Sequence, residues 1–135
     1  MDFHKFPKVE LHLHLDCSLS YSVVVKLDPS ITHKEYLETF IAPAKCTNLA
    51  DFLTGAVKGI ALMQTKEQLH LVTQDLFEQL QHDNVLYAEI RFAPLLHTEK
   101  GLTPEDVVAT VEAALKTACQ ATGIQARLIL CTLRH

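Results

Sequence analysis

Pro7-Lys8-Val9-Glu10-Leu11-His12-Leu13-His14-Leu15-Asp16 alternates apolar and polar residues without a break. This is the two-residue period of a β-strand, whose successive side chains point to opposite faces. Read as one regular strand, it puts Val9, Leu11, Leu13 and Leu15 together against packed hydrocarbon. Glu10, His12, His14 and Asp16 then line the other face. Neutral imidazole nitrogens are common zinc ligands, and a neighbouring carboxylate can add an oxygen ligand or a substrate contact. His12 and His14 are therefore candidate metal ligands. Two histidines leave a tetrahedral shell half empty, and from spacing alone an ordinary core or surface role stays open for both.

The rest of the chain alternates with that strand in period. A polar turn at Asp16-Cys17-Ser18 leads to a short apolar segment through Val23-Val24-Val25, which Asp28-Pro29-Ser30 ends. A short helix is predicted over 33–40 and closed at Ala42-Pro43, because a residue before proline is pushed out of the helical region. Asn48 offers a side-chain cap for a helix carrying Leu49, Phe52, Leu53, Ala56, Val57 and Ile60 on one face. A longer helix runs from Lys66 to His82, with Leu69, Val72, Thr73, Leu76 and Leu80 along one side. Val85 to Phe92 reads as a strand buried on both faces. Thr103-Pro104-Glu105-Asp106 starts a helix that ends at Gly123, and 127–133 is another buried strand.

Strand, helices, strand, helix, strand predicts an α/β fold of parallel βαβ units. No linker or repeat interrupts it, so residues 1–135 are expected to form a single incomplete domain. Three parallel strands would leave apolar edges unpaired, and further chain is expected to cover them.

Composition narrows the function classes. The 135 residues are 48% apolar and 21% charged with a net charge of −4, as in an ordinary globular protein. No dense Lys/Arg run supports phosphate-backbone binding, so nucleic acid is not an expected partner. No stretch has the length of a membrane helix or a signal peptide. The four cysteines Cys17, Cys46, Cys119 and Cys131 show no C-x-x-C spacing and are expected to be free, buried thiols in a cytoplasmic protein.

Several blocks, in order, carry a resemblance. Pro7 through Asp16 followed by Ser18, Asn48-Leu49-Ala50-Asp51-Phe52-Leu53, Tyr87 through Pro94, Leu102 through Val108, and Leu130 through His135 resemble the adenosine deaminase family. These are zinc enzymes of the amidohydrolase superfamily built on a TIM-type (β/α)8 barrel. The resemblance implies the N-terminal part of that barrel, about three of its eight βα units. It implies hydrolytic deamination of adenosine and 2′-deoxyadenosine to inosine and 2′-deoxyinosine plus ammonia, with one Zn2+ per complete site. His12 and His14 match two zinc ligands, and His14 also lies beside the nucleoside. Asp16 matches the carboxylate that hydrogen-bonds the ribose 5′-hydroxyl. Relatives acting on adenine tend to carry Glu there and relatives acting on N6-methyl-AMP tend to carry Asn, so Asp16 favours the nucleoside.

Leu49, Phe52 and Leu53 match substrate-facing positions of an apolar lid, with an amphipathic core helix as the alternative. The alternative for Asp16 is that it merely caps the following turn. Two departures from the family pattern stand out: Cys17 replaces a usual Gly, and Ala56 replaces a usual large aromatic. By the same resemblance the third histidine ligand, the catalytic glutamate and the last aspartate ligand belong to later strands. No catalytic residue is thus expected within this segment, and the 135 residues alone are expected to be inactive, with the C-terminal half of the barrel as a partner. The alternative is a shortened, non-catalytic polypeptide that pairs its sheet edges with another chain. Glu89 and Arg91 are expected to form an ion pair on one strand face. His70, His82 and His97 receive no role.

Overall fold

The computed structural model describes residues 3–43, 45 and 48–132, apart from the side chains at 4, 49–52 and 54. Its strands are β1 (Lys8–His14), β2 (Val85–Phe92) and β3 (Gln125–Leu130), and its helices are α1 (Tyr21–Leu27), α2 (His33–Thr39), α3 (Leu49–Ala61), α4 (Lys66–His82) and α5 (Pro104–Thr122). Short 3-10 turns at Leu15–Cys17 and Pro94–His97 follow β1 and β2. The strands are parallel in the order β1-β2-β3, so each strand pairs with the next one in the chain. This is the α/β architecture expected of the opening units of a (β/α)8 barrel.

Local chemistry accounts for the boundaries. Thr65 and Thr103 each close a capping box, with Gln68 and Asp106, at the starts of α4 and α5. Pro104 sits in the first turn of α5, and Gly123 ends that helix in the left-handed region at φ +78°. The apolar segment around Val23 is a true helix, capped by the Ser20 hydroxyl, which accepts from the Val23 amide. Cys17, Cys119 and Cys131 are free thiols, as expected, but none of them is fully buried. Cys46 and residues 133–135 lie outside the described residues.

The core forms between one face of the sheet and α4 and α5. Leu69, Val72, Thr73, Leu76 and Leu80 of α4 are all buried, as their spacing predicts. They meet Val107, Val111 and Leu115 of α5 and Ala88, Ile90 and Phe92 of β2. The expectation that β2 and the last strand are buried on both faces is not met. Tyr87, Glu89 and Arg91 on the second face of β2 are only half-buried, and Gln125 and Arg127 beside them on β3 are exposed, because the described helices cover one side of the sheet; Leu130, opposite Phe92 on the covered side, is exposed at the end of the edge strand. That second face is the side a closed barrel turns inward.

A buried carboxylate ties α4 to the loop after β1. Asp75 accepts from the Ser20 amide at 3.1 Å, the Ser20 hydroxyl at 2.5 Å and Gln79 Nε2 at 2.8 Å. Gln79 also donates to the Ser18 carbonyl at 2.8 Å. Deleting the carboxylate removes the acceptor of the half-buried Ser20 amide and hydroxyl, so Asp75→Ala is expected to destabilise the fold by roughly 1–3 kcal/mol. A urea midpoint unchanged from wild type would contradict this role.

Candidate metal and substrate site

The histidine pair sits where β1 departs from regular alternation. Val9 lies opposite Tyr87 and His14 opposite Arg91, and Tyr87 and Arg91 share one face of β2; Leu13 lies opposite Ile90 on the other face. Val9 and His14 thus share a face although their numbers differ in parity. The cause is a register shift between Glu10 and Leu13. Val9 and Leu11 are consequently 60% and 55% exposed, which corrects the expectation of one continuous apolar face, while Leu13 packs on the core and Leu15 is fully buried. The imidazoles of His12 and His14 have ring centroids 5.4 Å apart, on the half of the strand next to its C-terminal end.

Arg91 stabilises the irregular segment by donating from Nη2 to the Leu11 carbonyl at 3.2 Å. The expected Glu89–Arg91 ion pair is not formed. Glu89 instead accepts from the Tyr87 hydroxyl at 3.1 Å, and Arg91 is drawn toward the carbonyl of β1.

Beyond His14 the backbone turns sharply. The Ser18 hydroxyl donates to the His14 carbonyl and the Ser18 amide to Leu15, closing the turn. Leu15 anchors it in the core, and Asp16 follows at only 6% exposure. Gly59 of α3 makes that burial possible: a β-carbon there would lie 2.8 Å from the Asp16 carbonyl oxygen. His14 turns Nδ1 toward the Asp16 carboxylate at 3.7 Å, longer than a hydrogen bond, and the Cys17 thiol lies 3.7 Å from the same oxygen. Cys17 is exposed as a residue, yet its sulfur is crowded by protein. Desolvation first, then the Asp16 charge and hydrogen bond, push the thiol pKa up to about 12.

Two buried polar residues to which the sequence assigned no role, His97 and Gln64, pack at the turn after β2, and His97 feels the Asp16 charge. His97 is fully buried in the turn after β2, with Nδ1 3.0 Å from the Met63 carbonyl. Desolvation lowers its pKa against the opposing pull of the Asp16 charge. Gln64 donates to the Ile60 and Leu96 carbonyls and accepts from the Glu99 amide, locking the end of α3 to the same turn. The available signal was position, since His97 closely follows Pro94 at the C-terminal end of a strand, where barrel sites form.

The candidate lid is partly visible. The side chains of Leu49 and Phe52 lie outside the described residues. Leu53 and Val57, one helical turn apart on α3, are 45% and 65% exposed, so they are not ordinary core. Gly55, Ala56 and Gly59 of the same helix line a cavity of about 90 Å3 with Asp16, Cys17 and Phe40. That volume suits a few waters and falls below the roughly 300 Å3 of small ligand pockets.

Comparison with known proteins supplies a family. A family profile described as "Adenosine deaminase" matches residues 7–135. An adenosine deaminase from Clostridium perfringens is 38% identical over 143 residues, covering 100% of this chain and 43% of that protein. Among solved structures, an adenine deaminase from Arthrobacter aurescens aligns at 27% identity with a TM-score of 0.75, over 90% of this chain and 38% of the other. An amidohydrolase from Burkholderia ambifaria solved with bound Zn aligns at 25% identity and TM-score 0.79, over 95% and 36%. The chain thus spans less than half the length of these relatives. Among the described residues no helix is long and apolar enough to cross a membrane.

The packing behind Asp16 generates two outcomes. Gly59→Ala forces a methyl group onto the Asp16 carbonyl and is expected to cost roughly 1–3 kcal/mol; an unchanged melting temperature would show that the helix can back away freely. His97 has a lowered pKa in the fold, so as pH falls below 6.5 the unfolded chain binds a proton that the folded chain resists, and stability declines. The lowered carboxyls of Asp28, Glu67 and Asp106 add their losses only below their ordinary values of 3.8 to 4.5. Denaturation midpoints measured across this range should flatten near pH 6 in His97→Gln; an identical slope would refute the assignment.

Proposed function

Because this chain belongs to the adenosine deaminase family, we propose that it supplies the first part of a zinc site that hydrolytically deaminates adenosine and 2′-deoxyadenosine to inosine and 2′-deoxyinosine. The observation that carries this reading is the carboxylate of Asp16, buried beside His14 and two residues past a pair of imidazoles 5.4 Å apart. The donor set fits zinc: two exposed imidazoles on one strand end offer nitrogen ligands. His12 and His14 would hold the ion. Bound there, zinc supplies the Lewis acidity that makes water a nucleophile near neutral pH.

The chain's own groups do the positioning. His14 presents Nδ1 to Asp16, which leaves Nε2 as the nitrogen for the metal, and a carboxylate behind a ligating imidazole fixes its orientation. Asp16, held by Gly59 and the Ser18 turn, accepts a hydrogen bond from the ribose 5′-hydroxyl and so selects a nucleoside over the free base. Leu49, Phe52 and Leu53 close over the purine and exclude water; the exposure of Leu53 and Val57 is consistent with an apolar surface kept for such an occupant. The remaining ligands and the acid that protonates the purine come from outside these residues, in one domain continuous with 1–135. The protein works in the cytoplasm.

The test uses the protein that carries this chain, assayed for conversion of adenosine to inosine with zinc counted by mass spectrometry. His12→Ala is expected to empty the site and lower kcat at least about 100-fold, since even outer-shell partners of metal ligands are worth 10–100-fold. Full zinc occupancy in that variant would remove His12 from the site. Asp16→Asn is expected to lower kcat/KM for adenosine by about 10–100-fold through KM, the worth of one hydrogen bond to a charged group. An unchanged value, or faster turnover of adenine than of adenosine by the wild type, would reject the ribose contact.

A further inference from the structure

The turn after β1 brings three different donors to one point. The Asp16 carboxylate lies 3.7 Å from His14 Nδ1 and 3.7 Å from Cys17 Sγ, and one ligand atom from each of the three residues lies within 4.8 Å of the others. Among the described residues this is the one group of three His, Cys, Asp or Glu side chains that converges in this way. A four-coordinate cation with metal–sulfur and metal–nitrogen bonds of about 2.3 and 2.0 Å spaces its ligand atoms roughly 3.3–3.8 Å apart. Two edges of the triangle already have that length, and rotation of the exposed Cys17 side chain can shorten the third.

We propose that Cys17, Asp16 and His14 form a binding site for a thiophilic divalent cation, distinct from the His12–His14 pair because it uses the other edge of the His14 ring and a sulfur ligand. Zn2+ and Cd2+ fit the mixed sulfur, nitrogen and oxygen set, whereas Mg2+ and Ca2+ demand oxygen alone. The site is built rather than fortuitous in its carboxylate. Asp16 is buried, fixed by the Gly59 contact and by the Ser18 turn, and therefore presents its oxygen at a defined place. In the protein without zinc on His14, the neutral imidazole keeps its proton on Nε2 and offers Nδ1, and the thiol gives its proton to solvent as the metal–sulfur bond forms, so one proton leaves for each cation bound. Both this site and the proposed deaminase site use His14, and a cation on Nδ1 with Asp16 would draw that carboxylate away from the nucleoside. The expected consequence is inhibition by soft metals that compete with zinc for His14.

Cadmium titration of the purified protein, freed of zinc with a chelator, tests this through the ultraviolet charge-transfer absorption of a cadmium–thiolate bond. The wild type should develop that band to saturation at one Cd2+ per chain. Cys17→Ser, close to isosteric and checked for fold by circular dichroism, should lose the band and bind Cd2+ at least about tenfold more weakly, the low end of losses at metal sites. Cys119→Ser and Cys131→Ser should retain it. His12→Ala should retain the thiolate band even where zinc at the pair is lost, which separates this proposal from the deaminase reading. Cadmium bound by the wild type without a thiolate band, no binding at all, or a band undiminished in Cys17→Ser would each overturn the proposal.

Discussion

The candidate site depends on one turn, residues 15–20, being held from three sides. From one side the buried Asp75 carboxylate grips Ser20, and Gln79 grips the Ser18 carbonyl, so α4 fixes the loop while its other side chains build the core. From another, Gly59 lets the backbone of α3 approach the Asp16 carbonyl at a distance no side chain would permit. From the third, Leu15 is inserted into the core between sheet and helices. Without these restraints Asp16 would be a solvated carboxylate on a surface loop. With them, it is a desolvated acceptor at a fixed distance from His14, the condition under which a single hydrogen bond discriminates between ligands.

Much of this was readable from sequence because the relevant signals are local. The buried stripe of α4 follows from helical spacing, and the start of α5 from a Thr cap, a proline and an acid in the right order. The His-x-His pair announced itself by alternation within a strand. What alternation could not convey was the register shift between Glu10 and Leu13, since pairing irregularities arise from the neighbouring strand and not from the strand itself. The exposure of Val9 and Leu11 follows from that shift. His97 and Gln64 were invisible for a related reason: their partners are backbone carbonyls distant in sequence, such as Met63 for His97 and Leu96 for Gln64, which leave no pattern of side chains. The Glu89–Arg91 pairing failed because a carbonyl in the irregular part of β1 competes for the guanidinium.

The same geometry gives the two departures from the family pattern a common location. Cys17 and Ala56 both line the small cavity between the turn and α3. Relative to the pattern that the resemblance implies, one wall carries a thiol and the other lacks bulk, next to the carboxylate proposed to read the ribose. Substrate selection and soft-metal sensitivity would then be properties of one cluster, with His14 as the shared residue.

In the proposed site the irregular end of β1 presents His12 and His14 to a single zinc ion. Diffraction from crystals of the zinc-loaded protein, recorded at and below the zinc absorption edge, locates the ion without reference to activity. This arrangement requires an anomalous peak within bonding distance of one nitrogen of each of these two imidazoles, at about 2.0–2.1 Å. A peak bound elsewhere, with His12 and His14 both turned away from it, would contradict it.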